Sequence, residues 1–185
     1  MQHGLGGSSN NFFINSPTLE PTDDGVNRTC GDNIGFCLLL TGNYDVWAPN
    51  VRGNGYSNEH MTMSDQDNDY WRFTFDQMAM YDLPAIIELV RNVTGWQKVA
   101  YVGHSQGCNM ALALLSLKKE YAAILQPVIL YAPAAYIGKM TSWLKTLYPV
   151  VPLLNTTGGP FTFSEHFYAG ILQLVCQPLE PICAG

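Results

Sequence analysis

The stretch "VAYVGHSQGCNMALALL", residues 99–115, constrains the fold of this chain more than any other part of its sequence. It opens with β-branched and aromatic residues, which favour a buried strand, and closes with leucines and alanines, which favour a helix. Between them lies Gly-x-Ser-x-Gly, with Ser105 at its centre. A serine on a tight turn from strand to helix is presented as a nucleophile at the edge of a parallel sheet. The stretch therefore predicts a nucleophile elbow with Ser105 as the nucleophile.

The residues around Ser105 fit the geometry of such a turn. Gly103 and Gly107 lack a Cβ, so the backbones of strand and helix can approach each other there. His104 is expected to face away from Ser105. A glycine turn that only joins a strand to a helix is the alternative, and the strand-to-helix context favours the catalytic interpretation.

Acyl transfer also needs two hydrogen-bond donors for the oxyanion of the tetrahedral intermediate. The backbone N–H of Gln106, directly after the nucleophile, is the first. The second usually comes from a loop after an earlier strand, and "HGL" at residues 3–5 gives this role to the Leu5 N–H. An ordinary turn at His3 and Gly4 is the alternative.

The sequence on both sides of the elbow predicts alternating strands and helices. We expect a strand over residues 43–50 and a buried strand over residues 127–136. Between the first of these and the elbow, residues 73–95 have helical spacing, with a kink or a fresh first turn at Pro84 and a C-cap at Gly95. This order gives right-handed βαβ units and a parallel sheet.

Two segments depart from that alternation. Residues 137–185 mix aromatic residues with prolines and show no strand pattern, so we expect the beginning of a helical cap after a core of residues 1–136. Residues 16–33 are expected to form a loose polar insertion within that core.

Composition excludes several classes of function. The 185 residues are 47% apolar, enough for one domain with a real core. The net charge of -6 comes without a basic cluster, which argues against a nucleic-acid partner. No apolar run is long enough to be a transmembrane segment, and the start of the chain lacks the features of a signal peptide. We expect no metal, because the ligand-type residues lack matched spacing, and no cofactor.

The five cysteines leave two interpretations open. Two local bridges, Cys30 with Cys37 and Cys176 with Cys183, would leave Cys108 as a buried thiol. Five reduced thiols in a cytosolic protein are the alternative. Three glycosylation sequons favour the first interpretation; they begin at Asn27, Asn92 and Asn155.

Five stretches of the sequence resemble, in order and spacing, the acid lipases of the gastric and lysosomal acid lipase family. These are "QHGLGGSSNNFF", "YDVWAPNVRGNGYS", "YWRFTFDQMAMYDLPAIIELV", "VAYVGHSQG" and "YAPAA". The resemblance implies an α/β-hydrolase fold and hydrolysis of neutral lipid esters, triacylglycerols or cholesteryl esters, at a lipid–water interface. It implies Ser105 as nucleophile, with Leu5 and Gln106 as the oxyanion hole. It also implies a secreted, lysosomal or vacuolar location and a cap disulfide between Cys176 and Cys183.

The catalytic triad of this fold follows the chain order Ser, Asp or Glu, His. The chain ends at Gly185, inside the expected cap, so we expect the acid and the base beyond that residue and further strands before Met1. His166 is the one histidine after Ser105 and the candidate base within the chain. Four carboxylates are expected to be solvated or capping groups; they are Asp76, Asp82, Glu88 and Glu165. The chain is therefore expected to be the central part of an incomplete α/β-hydrolase.

Two classes of function remain open at this point. The first is a serine esterase that forms an acyl-enzyme on Ser105. The second is a lipase-like protein without a base, which binds lipid or a partner in the apolar cleft of the fold. The intact elbow favours the first, because a binding module has little need for a serine at a strained apex.

Overall fold

The computed structural model describes residues 1–14, 18–20, 27–29 and 33–136. The strands and α-helices of this part are β1 (Thr18–Glu20), β2 (Asn27–Thr29), α1 (Ile34–Leu40), α2 (Phe75–Gln77), α3 (Leu83–Thr94), β3 (Val99–His104), α4 (Gln106–Leu117) and β4 (Leu125–Tyr131). Shorter 3-10 helices span Ser9–Phe12 and Lys119–Ala123, and a π-helical turn spans Met78–Asp82. The expected cap, with His166 and the Cys176–Cys183 pair, lies outside the described residues.

A parallel β-α-β unit forms the centre of the described structure. β3 and β4 pair in parallel, with Gly103 opposite Leu130, and α4 connects them. On the other edge of β3, Gln2 forms a parallel bridge with Gly103. The Gln2 N–H donates to the Val102 carbonyl at 2.7 Å, and the His104 N–H donates to the Gln2 carbonyl at 3.0 Å. The predicted parallel sheet of an α/β fold is confirmed.

The core lies between this sheet and the two long helices. α4 contributes Met110, Ala111 and Leu114, each almost without solvent exposure, and α3 contributes Leu83 and Ile87. Burying a side chain of this size stabilises a fold by about 1.5–3 kcal/mol. The helix that follows the elbow, α4, is therefore held in place by its buried apolar face.

The helical prediction for residues 73–95 is confirmed with one refinement. Thr74 and Gln77 form a capping box at the start of α2. The π-helical turn then precedes α3, whose first turn contains Pro84, so the proline marks a fresh start rather than a break. α3 ends at Gly95, which has a φ of 77° and donates its N–H to the Arg91 carbonyl at 2.8 Å.

Three other expectations need correction. Residues 43–50 form no strand, and the bond from the Met1 nitrogen to the Trp47 carbonyl, 2.6 Å, links them to the sheet. None of the strands in the described residues pairs with this segment, so its backbone lacks a ladder of hydrogen bonds. Second, β4 is mostly exposed rather than buried, because the described residues cover little of its outer face.

Third, the segment of residues 16–33 contains regular structure, since β1 and β2 pair as antiparallel strands.

None of the helices in residues 1–14 and 33–136 combines the length and the apolar character that spanning a bilayer requires.

Candidate active site

Ser105 lies at a strained apex between β3 and α4. Its backbone has a φ of 50° and a ψ of -113°, a left-handed conformation that non-glycine residues adopt at a cost of roughly 1–3 kcal/mol. Two backbone bonds hold it there: the Ser105 N–H donates to the Tyr131 carbonyl at 2.9 Å, and the Cys108 N–H donates to the Ser105 carbonyl at 2.9 Å. Ser105 is half-buried, so its side chain is accessible to a ligand while its backbone is held in place.

The two glycines of the motif lie where backbones almost touch. A Cβ on Gly107 would lie 2.5 Å from the Gln2 carbonyl oxygen and 3.0 Å from that of His3. A Cβ on Gly103 would lie 2.9 Å from the Gly107 carbonyl carbon. The buried Tyr101 hydroxyl donates to the Gly107 carbonyl at 2.7 Å. These contacts seat residues 2–3 directly on the first turn of α4.

The same contacts bring Gly4 and Leu5 next to the serine. A Cβ on Gly4 would lie 3.0 Å from the Cβ of Ser105. Among the described residues, the Leu5 N–H has no hydrogen-bond partner. Gln106 is the first residue of α4, where the helix itself offers no acceptor to the backbone N–H. The geometry thus brings two donor groups with unused hydrogen-bonding capacity to the neighbourhood of Ser105.

His3 is buried behind this segment, with 4% of its surface exposed. Its Nδ1 lies 2.9 Å from the Gly4 carbonyl oxygen, and its Nε2 accepts from the Val51 N–H at 3.4 Å. Burial lowers the pKa of His3 below its ordinary value, and the hydrogen bond to Gly4 raises it by less. The imidazole is therefore held neutral over a wider pH range than an exposed histidine.

A polar loop, residues 50–57, supports the segment that carries Gly4 and Leu5. Asn50 and Ser9 bond reciprocally, the Ser9 N–H to Oδ1 at 2.9 Å and the Asn50 Nδ2 to Oγ at 3.1 Å. The Asn54 Nδ2 donates to the Gly7 carbonyl at 2.7 Å, and the Asn10 Nδ2 donates to the Tyr56 hydroxyl at 2.8 Å. Sequence reasoning missed these contacts. The asparagines of "NVRGNGYS" are the signal that could have found them.

Arg52 and Asp82 anchor that loop to the start of α3. The Arg52 Nε donates to Asp82 Oδ1 at 2.8 Å, its Nη2 donates to the same oxygen, and its backbone N–H donates to Oδ2 at 3.0 Å. The hydrogen bonds to Asp82 raise the pKa of Arg52. Asp82, whose side chain is 12% exposed, is therefore an ion-pair partner, and the expectation of a solvated or capping group is wrong.

Cys108 lies under the elbow and is a buried free thiol, as expected. Its Sγ lies 3.1 Å from the carbonyl oxygens of Gly103 and Tyr131. Burial raises the pKa of this thiol, which keeps it protonated and unreactive at neutral pH. Both predicted disulfides involve cysteines outside the described residues, so they stay predictions.

No histidine in the described part of the chain bonds to the Ser105 hydroxyl. His3 is engaged by Gly4 and Val51, and His60 accepts backbone N–H groups of its own exposed loop. His104 is exposed beside the serine. His166, the candidate base of the sequence analysis, lies outside the described residues.

Two cavities lie elsewhere on the described structure. One, about 270 Å³, is lined mainly by apolar residues of α3, residues 43–49 and the amino end of β3. The other, about 700 Å³, is a polar cleft beside Arg52 and His60. Ser105 lines neither of them.

Comparison with known proteins agrees with this geometry. Residues 1–158 match the family described as alpha/beta hydrolase fold. The chain is 36% identical over 190 residues to human lipase member M, covering 100% of this chain and 42% of that protein. It is 34% identical over 190 residues to bovine gastric triacylglycerol lipase, covering 99% of this chain and 44% of that protein. It is 36% identical over 142 residues to human lysosomal acid lipase/cholesteryl ester hydrolase, covering 77% of this chain and 32% of that protein.

The chain belongs to the α/β-hydrolase family, and its resemblance to the acid lipases is confirmed. It spans less than half the length of these relatives. These relatives are lipases by name.

Proposed function

We propose that this chain carries the nucleophile and the oxyanion hole of a lipase that hydrolyses neutral lipid esters through an acyl-enzyme on Ser105. The observation that carries the proposal is the position of Ser105. It occupies a left-handed apex with a φ of 50°, and the Gly4 backbone packs against its side chain. Strain of this kind persists where the surrounding structure imposes it, and it concentrates at functional sites.

In the proposed mechanism the Ser105 Oγ attacks the ester carbonyl carbon and gives its proton to a base outside the described residues. The carbonyl oxygen becomes an oxyanion, which accepts hydrogen bonds from the N–H groups of Leu5 and Gln106. Collapse of the intermediate expels the alcohol, which takes the proton back from the base. Water then attacks the acyl-serine by the same steps and releases the fatty acid.

The surface beside Ser105 supports an uncharged, apolar substrate. Leu5 is 76% exposed, and Tyr131, whose carbonyl accepts from the Ser105 N–H, is 50% exposed. Arg52 is engaged by Asp82 and Lys118 donates to the Met80 carbonyl at 3.0 Å, so neither cation is positioned to clamp a phosphate. We therefore propose triacylglycerols or cholesteryl esters as substrates, taken from a lipid–water interface.

We further propose a secreted or lysosomal location, since one relative is named as gastric and another as lysosomal. Fractionation of the producing cells tests this. Recovery of the protein from the medium or from lysosomes is expected, and recovery from the cytosol alone would contradict the proposal.

The test of the reaction is substitution of Ser105 in the full-length natural protein. Ser105→Ala is expected to lower kcat on a triacylglycerol emulsion by about 10⁶-fold, because loss of a triad nucleophile has that cost. Ser116→Ala is the matched control, since Ser116 is an exposed serine on the same helix. A lysophospholipid assayed beside the triacylglycerol tests the substrate class. Retained turnover in Ser105→Ala would refute the acyl-enzyme, and equal turnover of the two lipids would refute the neutral-ester preference.

A further inference from the structure

We propose that His3 is a positioning residue for the reaction: it holds the Gly4–Leu5 peptide in the orientation that leaves the Leu5 N–H available to the oxyanion. His3 does not touch the substrate and acts through Gly4. The inference deepens the proposed function of the same site and rests on it.

The hydrogen bonds of His3 define its tautomer. The Gly4 carbonyl oxygen, 2.9 Å from Nδ1, can only accept, so Nδ1 carries the proton. The Val51 N–H, 3.4 Å from Nε2, can only donate, so Nε2 is unprotonated. The neutral ring with Nδ1–H is therefore the one form that satisfies both partners.

The bond from Nδ1 fixes the direction of the Gly4–Leu5 peptide plane. In a trans peptide the C=O and the N–H point in opposite directions. The Gly4 carbonyl accepts from the His3 ring and also from the Gly7 N–H at 3.1 Å. The Leu5 N–H must then point away from both, which agrees with its lack of a partner among the described residues.

Both restraints on the Gly4 carbonyl begin in the same loop. Val51 donates to the His3 ring, while Asn54 donates to the Gly7 carbonyl at 2.7 Å and so holds the residue whose N–H bonds Gly4. The ring itself is buried, which removes competing water. An ordinary turn would not need a buried histidine, because the Gly7 bond alone closes it.

The titration of His3 supports this arrangement. Burial lowers its pKa in the folded protein below 6.5, the ordinary value. As the pH falls below 6.5, the unfolded chain takes up a proton that the folded protein refuses, so the free energy of unfolding decreases. Below the folded pKa a second ring proton would face the Val51 N–H and break that bond. The contribution of the neutral His3 ring to the free energy of unfolding is therefore present above about pH 6.5 and is lost as the pH falls.

The first test is spectroscopic and does not depend on activity. Long-range ¹H–¹⁵N NMR spectra of the full-length protein report which ring nitrogen of His3 carries the proton, with the His3 signal assigned from nuclear Overhauser contacts between the ring and its neighbours Gly4 and Val51. We expect a neutral Nδ1–H tautomer and a pKa below 6.5. A His3 signal from the Nε2–H tautomer would overturn the inference.

The second test uses two variants that each keep one half of the ring chemistry. The amide of His3→Asn reaches the position of Nδ1 and can still donate to Gly4, whereas the amide of His3→Gln reaches the position of Nε2. We expect His3→Gln to lower kcat by about 10- to 100-fold, since losing one oxyanion donor outright costs 10²- to 10³-fold. His3→Asn should retain kcat within about fivefold. KM should change little in both variants, because His3 does not contact the acyl chain.

His60→Gln is the matched control, because His60 is an exposed loop histidine that undergoes the same chemical change. Its kcat should equal that of the unaltered protein. Full activity in His3→Gln, or equal losses of kcat in both His3 variants in step with their stability, would overturn the inference alone. An unaltered protein without esterase activity would refute the proposed function, and the inference would fall with it. If the His3 variants do not fold, the NMR tautomer decides.

Discussion

The elbow and the segment of residues 3–10 meet at the same serine, yet different forces hold them. The elbow is fixed by backbone packing: Gly103, Gly107 and the carbonyls of residues 2–3 lie in contact, above the apolar face of α4. The facing segment has exposed residues at Leu5 and Gly6 and is tied by side-chain hydrogen bonds from the loop at residues 50–57. The elbow thus depends mainly on close packing of the backbone, and the facing segment mainly on polar side chains.

The difference separates the two functions of the site. The nucleophile must keep a strained backbone, and close packing stores such strain because a packed core has no room to relax. The oxyanion donor must keep an orientation, which directional hydrogen bonds provide. Changes in volume should therefore damage the elbow first, and changes in polarity should damage the oxyanion segment first.

The largest expected effect comes from adding volume at the elbow. Gly107→Ala would place a methyl group 2.5 Å from the Gln2 carbonyl oxygen, and neither backbone can move aside cheaply. We expect a loss of about 3 kcal/mol in the free energy of unfolding, measured by urea denaturation. Gly55→Ala is the control, since a Cβ there meets nothing within 4 Å, and it should cost less than about 0.5 kcal/mol. Equal losses of unfolding free energy in Gly107→Ala and Gly55→Ala would contradict the view that the elbow depends on close backbone packing.

A smaller effect is expected from removing the anchor of the polar loop. Arg52→Ala leaves the largely buried Asp82 carboxylate without its ion partner and should cost about 1–3 kcal/mol of unfolding free energy. Amide hydrogen exchange should speed up in residues 3–10 and 50–57, while protection in α4 stays unchanged.

The control for this change is Arg72→Ala. Arg72 pairs with Asp69 on the surface, where the two side chains are 79% and 69% exposed, so its loss should cost at most about 0.5 kcal/mol. Faster exchange in α4 but not in residues 3–10 after Arg52→Ala would show that the anchor supports the elbow instead, contrary to the comparison.

The same division explains what the sequence could predict. The strand, turn and helix around Ser105 depend on neighbours in the chain, and the helix of residues 73–95 carries its own caps, so local patterns were sufficient for both. The prediction of a strand over residues 43–50 was wrong because a strand also needs a neighbouring strand to pair with. Periodicity in the sequence does not show whether such a neighbour is present. The prediction that β4 is buried was wrong for a similar reason, because the exposure of a strand depends on which residues pack against its face.

The support of the oxyanion segment was beyond sequence reasoning because its contacts span long distances along the chain. The bond from Asn54 to Gly7 and the ion pair of Arg52 with Asp82 join residues that no single motif contains. Each partner alone is an ordinary polar residue of a loop or a helix start. Only the fold shows that both involve the loop of residues 50–57, which also bonds to His3.

Covalent labelling tests whether Ser105 is the acylated nucleophile. The full-length natural protein is treated with a fluorophosphonate that carries a long alkyl chain, and the modified peptide is identified by mass spectrometry. We expect one adduct, located on Ser105, which is lost in Ser105→Ala and retained in Ser116→Ala. An active protein that carries the adduct on another residue, or hydrolyses ester without any adduct on Ser105, would contradict this expectation.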